Sequence, residues 1–435
     1  MKVKGYIPRI VDREIDQLLH AYGAVSIEGP KYCGKTCTST THASSLFALD
    51  DPGNDYINYR IASMDVYKAL EGQSPHLIDE WQMIPSIWDA VRKDVDSKTG
   101  PGHYILCGSS TPETPKRNSP DDKRIKGYVH SGFGRITTVH MRTMSLMESG
   151  DSDCRIKLKD LFDHNIPITK GDRNELGHII DLIMSGGWPG NLGMGMEYRI
   201  RAVSQYPNEI CVKDLPRVDD SKSPSRMMML LRSLARNEST LASATTISRD
   251  IKEFDDEKVS DDSVRDYLAV LERMNLIEDQ PAFNPNLRSS VRVGKSPKRH
   301  LTDPALSIAA MGWSKEMLIS DLNTLGFMFE AMCERDLQIY SNSLGGKLYH
   351  YRDGKGREID AVVELPDRRW GAFEIKLGSN QIDEAAENLV KIDEMIRNDE
   401  NGRPPEFLCV ICGLEGATYQ REDGVYVVPI TSLGC

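Results

Sequence analysis

Ala24-Val-Ser-Ile-Glu28-Gly29-Pro30-Lys31-Tyr32-Cys33-Gly34-Lys35-Thr36 is the stretch that decides the fold. Ala24 to Glu28 reads as a buried strand, and Gly29 to Thr36 fit G-x-x-x-x-G-K-[ST] at every fixed position. A helix expected from Lys35 to Ser45 follows directly, so the loop lies between a strand and a helix start. Glycines there let backbone amides wrap phosphates, and the helix N-terminus adds the positive end of its dipole. Gly29, Pro30, Lys31, Tyr32, Cys33, Gly34, Lys35 and Thr36 are therefore expected to hold nucleotide phosphates. Lys35 would reach the β and γ groups, and the Thr36 hydroxyl would face Mg²⁺.

Working outward, residues 1–215 alternate short apolar runs with helical stretches, the pattern of an α/β domain with a parallel sheet. Strands are expected at Leu46–Leu49, His76–Ile78, His103–Cys107 and Arg135–Val139, with a helix over Ile84–Val95. The third strand ends in Asp79-Glu80. Asp79 would hold the magnesium through its hydration shell, and Glu80 would polarise the attacking water. Ser109 and Ser110 follow the next strand, where a hydroxyl either orients that water or simply makes a turn. Arg135 either stabilises charge on the transferring phosphoryl group, in its own chain or a neighbour's, or is an ordinary surface residue. Thr111 to Lys126 is rich in Pro, Lys, Arg and Asp and reads as an exposed, mobile loop.

The chain has 435 residues, enough for two or three domains with cores of their own. Its 65 acidic against 54 Lys/Arg side chains give a net charge of -11, which disfavours blanket adhesion to nucleic acid or anionic membrane. No apolar run approaches the roughly 20 residues that a membrane helix needs, and the first residues lack a secretory apolar stretch. Nine scattered cysteines do not form a disulfide framework, so the reducing cytoplasm is the expected location. Cys409 and Cys412 have metal-like spacing but sit inside an apolar run that reads as a buried strand.

Residues 216–312 change character. Helices are expected at Met227–Ala235, Ala244–Phe254 and Asp261–Met274, followed by an irregular strand-like tail, which is a winged-helix outline. Arg288, Arg292, Lys295, Lys298 and Arg299 crowd one stretch without an acidic neighbour. They are either a contact for DNA phosphates or a solvated loop. Residues 313–435 read as a helix (Gly326–Ile339), a meander (Lys347–Arg352, Glu358–Leu365, Trp370–Lys376), a helix (Gln381–Arg397) and strands at Phe407–Cys412 and Gly424–Val428.

Tyr6-Ile-Pro-Arg9, the glycine loop, Leu49-Asp50-Asp51-Pro52, Ile78-Asp79-Glu80-Trp-Gln82 and Cys107-Gly-Ser-Ser110 occur in this order. With Gly134-Arg135, Gly186-Gly-Trp-Pro189 and Lys298-Arg-His-Leu-Thr-Asp303, the chain resembles a large family of bacterial and archaeal AAA-type ATPases. The resemblance implies an ASCE-type P-loop NTPase sheet, a winged helix, and a C-terminal α/β domain of restriction-endonuclease-like fold. Lys31-Tyr32-Cys33 departs from the Arg-Gln-Val-like stretch usual in that family. In such a C-terminal fold, two or three carboxylates and a lysine surround a metal ion. Glu330, Asp360, Glu374 and Lys376 fill those positions here, and the spacing of Glu374 and Lys376 puts both on one strand face. A second Mg²⁺ or Mn²⁺ would bind there if the site is intact. A decayed site or a charged face used otherwise is the alternative.

The function expected is binding and hydrolysis of Mg-ATP, coupled by a conformational change to a DNA-directed, nuclease-like C-terminal domain. Two alternatives stay open: a nucleotide-dependent switch whose C-terminal domain recognises a partner without cutting it, and a nuclease regulated by ATP. ATP, DNA, a protein partner or a second copy of the chain are the partners expected, and no membrane.

Overall fold

The computed structural model describes residues 1, 3–110, 131–252, 259–286 and 296–435. The loop expected at Thr111 to Lys126, together with Arg288, Arg292 and Lys295, lies outside the described residues. The chain divides into two compact units, one of Met1–Thr143 with Val270–Leu276, the other of Met144–Ala269 with Ile277–Cys435.

The first unit is built on five parallel strands: β1 (Ala24–Glu28), β2 (Ser45–Ala48), β3 (His76–Asp79), β4 (Tyr104–Gly108) and β5 (Ile136–His140). Their order is β2-β3-β4-β1-β5, so β4 separates the strand leading into the glycine loop from the strand ending in Asp79. Parallel neighbours need crossovers, and helices α1 (Asp12–Leu19), α2 (Lys35–His42), α3 (Ile57–Met64) and α4 (Ser86–Val95) cover the sheet. Side chains alternate between its faces. Val25, Ile27, Leu77, Ile105 and Val139 meet Ile15 and Leu19 of α1. Ala24, Ile78, Tyr104 and Leu106 meet Trp81, Trp88 and Val91 on the other face. Fully burying one such aliphatic side chain stabilises by roughly 1.5–3 kcal/mol. The helix after the glycine loop is shorter than expected because Ala43 is already extended (φ -95°, ψ 151°), which lets β2 begin at Ser45.

In the second unit, β6 (Ile156–Lys157) comes first and a larger sheet follows. Its strands are β7 (Lys347–Arg352), β8 (Glu358–Glu364), β9 (Trp370–Lys376), β10 (Phe407–Cys412), β11 (Tyr419–Gln420) and β12 (Tyr426–Pro429). Spatially they run β11-β12-β10-β9-β8-β7, and β13 (Leu433–Gly434) pairs with β6. β7, β8 and β9 form an antiparallel meander, while β10 is parallel to β9 and β12. The helix Ile382–Arg397 lays Ile382, Ala385, Ala386, Leu389, Ile392 and Ile396 on one sheet face. The helix Leu322–Ser343 starts at Asp321, whose carboxylate accepts from the Thr324 amide at 3.1 Å. Three further helices span Pro224–Arg236, Ala244–Lys252 and Asp261–Arg273. Among the described residues, the strand-like tail expected after them shows isolated bridges, Thr240 with Arg299, Ile277 with Leu301, Gln280 with Lys298 and Ala282 with His350. Cys409 and Cys412 are buried on β10, and burial pushes both thiols up, as expected of small core residues. Among the described residues, no helix is long and apolar enough to cross a membrane.

Candidate functional site

The glycine loop is shaped by backbone constraints before any ligand is considered. A side-chain carbon on Gly29 would fall 2.0 Å from the carbonyl oxygen of Met141, so no larger residue fits under the loop. Gly34, at φ 101°, turns the chain into α2 in a conformation that glycine adopts without strain. Arg9 braces the loop from behind, donating to the carbonyls of Cys33 at 2.8 Å and Arg142 at 3.0 Å. Lys35 is 6% exposed, and its ammonium donates to the Pro30 carbonyl at 2.8 Å.

Two strands bring the acidic groups to this loop. The Thr36 hydroxyl donates to Asp79 Oδ1 at 3.4 Å. Burial pushes the Asp79 carboxyl above its ordinary range, and hydrogen bonds from Cys107 and Thr36 pull it partly back. Glu80 adopts a left-handed backbone (φ 55°) immediately after β3. Burial first, and the charge of Asp79 second, raise its proton affinity, while Lys35 opposes them. Gln82 donates from Nε2 to the Glu80 carboxylate and, at 3.5 Å, to Ser109 Oγ. It thus links the strand-end glutamate to the hydroxyl after β4. Gln82 Oε1 and Trp81 Nε1 are buried polar atoms with no hydrogen-bond partner among the described residues. The donor set fits a hydrated Mg²⁺: one hydroxyl and one carboxylate, both hard oxygens, with phosphate and water to complete the shell.

Arg135 lies elsewhere. Its carbonyl accepts from the Ala24 amide at 3.0 Å, where β1 begins, whereas the glycine loop leaves the far end of β1. Five residues of strand, roughly 16 Å, separate the two ends. The side chain is half-exposed and donates to Asp96 at 2.7 Å. Arg135 is therefore not positioned for phosphates in its own chain.

In the second unit, the four residues expected around a metal do come together, but with company. Asp360 Oδ2 accepts from Lys376 Nζ at 2.9 Å and from the Ile375 amide at 2.8 Å. Lys376 Nζ lies 2.6 Å from Glu374 Oε2, and Asn388 donates to Glu374 Oε1 at 2.9 Å. Glu330 pairs at 2.5 Å with Lys298, which also reaches Glu334 at 2.9 Å. Burial raises the proton affinity of Glu330 and Glu374. Asp360 is buried as well, but Lys376 and Lys298 hold it below its ordinary value. Among the described residues, no group of three or more His, Cys, Asp or Glu is placed to hold a metal ion. A second Mg²⁺ or Mn²⁺ does not fit this arrangement.

Lys298 is also where the expected DNA contact needs correcting. It is 7% exposed and all three of its protons are engaged, two by Glu330 and Glu334 and one by the Asp360 carbonyl at 3.1 Å. Nothing remains for a phosphate. Arg299 is mostly covered, with its guanidinium on Asp279 and on the Ala242 carbonyl at 3.2 Å. The basic run was read from composition, and its partners lie far away in sequence.

Three residues that matter here have no role assigned from sequence, Arg9, Gln82 and Glu334, while His300 is read there only as part of the basic run. Glu334 was findable, since it stands one turn after Glu330 on the same helix face. Arg9 and Gln82 were visible only inside recurring sequence words, with no local reason for their chemistry.

Three family models match parts of the chain. Residues 21–149 match an AAA domain family, residues 176–317 a domain of unknown function (DUF8612), and residues 325–433 another (DUF4143). Uncharacterized proteins Rv2008c of Mycobacterium tuberculosis and Mb2031c of Mycobacterium bovis are each 24% identical over 362 residues, spanning 82% of this chain and 71% of theirs. A Walker-type ATPase of Pyrococcus abyssi aligns over 71% of this chain and 97% of its own, at 12% identity and a TM-score of 0.42. The segment around Gly29–Thr36 is an AAA-type P-loop domain on an α/β parallel sheet.

Proposed function

We propose that the protein binds Mg-ATP at Gly29 to Thr36 and hydrolyses it. Turnover drives a conformational change coupled to a DNA-directed C-terminal half, made of a winged helix and a restriction-endonuclease-like domain. The observation that carries the hydrolytic part is the approach of Thr36 to Asp79 at 3.4 Å, with Glu80 beside them and joined through Gln82 to Ser109. Bound magnesium supplies charge neutralisation on the phosphates. Lys35 exchanges its bond to the Pro30 carbonyl for a phosphate oxygen. Glu80, already high in proton affinity, orients and polarises the attacking water, and Ser109 fixes its direction. Arg135 serves a neighbouring copy of the chain, since it stands at the wrong end of its own sheet.

Phosphate release over many turnovers tests this reading. Glu80→Gln should bind ATP as the unmutated chain does yet turn over on the order of 10²-fold or more slowly. If the unmutated chain releases no phosphate beyond a single turnover with Mg²⁺, hydrolysis is not its work and a nucleotide switch is.

A second reading is favoured by one observation: each carboxylate of the C-terminal cluster is already matched to a lysine. The C-terminal domain then recognises a partner, nucleic acid or protein, without cutting it. Plasmid nicking that depends on Mg²⁺ or Mn²⁺ and is lost in Asp360→Ala would exclude this reading.

A further inference from the structure

We propose that Lys298 is the resident cation of the carboxylate cluster in the second unit, taking the place that a divalent ion would take among the same oxygens. The inference does not depend on whether the P-loop hydrolyses ATP.

Three oxygens define the position. Glu330 Oε1, Glu334 Oε1 and the Asp360 carbonyl lie 2.5, 2.9 and 3.1 Å from Lys298 Nζ. Two carboxylates and a main-chain carbonyl are the kinds of ligand that Mg²⁺ or Mn²⁺ takes, and an ammonium with three protons satisfies the same three. Both cations cannot share the position, because like charges a few ångströms apart in a poorly solvated site repel strongly.

The lysine is also held there by its backbone. Lys298 and Gln280 exchange amide-to-carbonyl hydrogen bonds at 2.9 Å in each direction. On either side of the cluster, Arg299 is tied to Asp279, and His300 lies between Glu238 at 3.2 Å and Glu334 at 3.4 Å. Glu330 and Glu334 are one helical turn apart, a spacing at which two negative charges destabilise a helix unless something neutralises them. Lys298 does so from another segment of the chain. Removing it would leave buried carboxylates uncompensated, and the position then becomes available to a metal.

Beside the cluster opens a cleft of about 510 Å³, lined among others by Glu330, Lys376, Phe327 and Asn380. Glu330 thus gives the cluster an edge on this cleft, while Lys298 fills the position among the oxygens behind it.

The test is a Mn²⁺ titration of the full chain without nucleotide, following the free-ion signal by electron paramagnetic resonance. The unmutated chain and Glu330→Gln should bind the same number of ions. Lys298→Met should gain about one further Mn²⁺ per chain, and adding Glu330→Gln in that background should remove it. If Lys298→Met does not fold, the charge-matched Lys298→Met/Glu334→Gln chain is measured instead and should gain the same ion more weakly. A Mn²⁺ site in the unmutated chain that Glu330→Gln abolishes would overturn the proposal. So would a folded chain lacking Lys298 that gains no ion.

Discussion

The ammonium of Lys35 donates to the carbonyl of Pro30 at 2.8 Å, a bond that closes within the glycine loop itself. Nucleotide must therefore exchange one partner for another rather than recruit a free charge. Lys35→Ala should abolish binding of a fluorescent ATP analogue while changing unfolding free energy by only about 1 kcal/mol, the usual net worth of one hydrogen bond. Retained ATP binding in that variant would detach the loop from phosphate recognition.

Arg9 holds the loop by the carbonyls of Cys33 and Arg142. Arg9→Met keeps the bulk but removes both charge-assisted hydrogen bonds, at roughly 1.5–3 kcal/mol for each. Lower thermal stability and at least ~10-fold weaker ATP affinity are expected, with part of the stability recovered at saturating ATP. Unchanged affinity in a destabilised protein would make Arg9 a scaffold residue only.

Gln82 acts through Glu80 and Ser109 rather than on phosphate, so its loss should separate rate from binding. Gln82→Leu should lower kcat by about 10- to 100-fold with little change in KM for ATP. Stability should hold or improve, since Gln82 Oε1 is buried without a partner among the described residues. A raised KM at constant kcat would argue instead that Gln82 contacts nucleotide.

Arg135 stands beside Asp96 at the edge of the sheet away from the glycine loop. If it completes a neighbour's site, Arg135→Ala and Lys35→Ala chains, each inactive alone, should recover phosphate release when mixed. Mixtures that stay inactive while the unmutated chain turns over would assign Arg135 a surface role.

The C-terminal cluster predicts a pH dependence with a definite sign. Burial pushes Glu330 and Glu374 from an ordinary 4.5 up to about 8, and His300 is raised above 6.5 by Glu334 and Glu238 despite its burial. All three bind protons more tightly folded than unfolded: the stability from the two glutamates is present in full below pH 4.5 and is lost as pH rises toward about 8, and that from His300 is present in full below pH 6.5 and is lost as pH rises further. Asp360, whose folded value is lowered, adds stability that fades only as pH falls below 3.8. Unfolding midpoints measured from pH 5 to 9 should therefore decline, and Glu374→Gln should flatten that decline. A flat profile in the unmutated chain would mean that the cluster is ionised throughout.

What the sequence made legible was what is local. The glycine loop, Asp79 and Glu80 carry their chemistry within a few residues, and strands such as Phe407–Cys412 are marked by continuous apolar character. β7 and β9 fall on the residues expected of them. Lys298 shows the opposite case. A run of Lys and Arg gives no sign that its partners sit on a helix 32 and 36 residues later. Arg135 left its readings open for a related reason: its place near a strand start was visible, but its distance from the glycine loop depends on β5 lying parallel to β1. The shortened α2 turned on one extended residue, Ala43, that propensity did not mark.

Met141 has a mechanical meaning. Its carbonyl forms the floor under Gly29, Arg9 grips the next carbonyl along, and the compact nucleotide unit ends at Thr143. The floor and the brace of the phosphate loop thus lie within two residues of Thr143, and a shift of Gly29 on nucleotide binding would meet the main chain at Met141 directly.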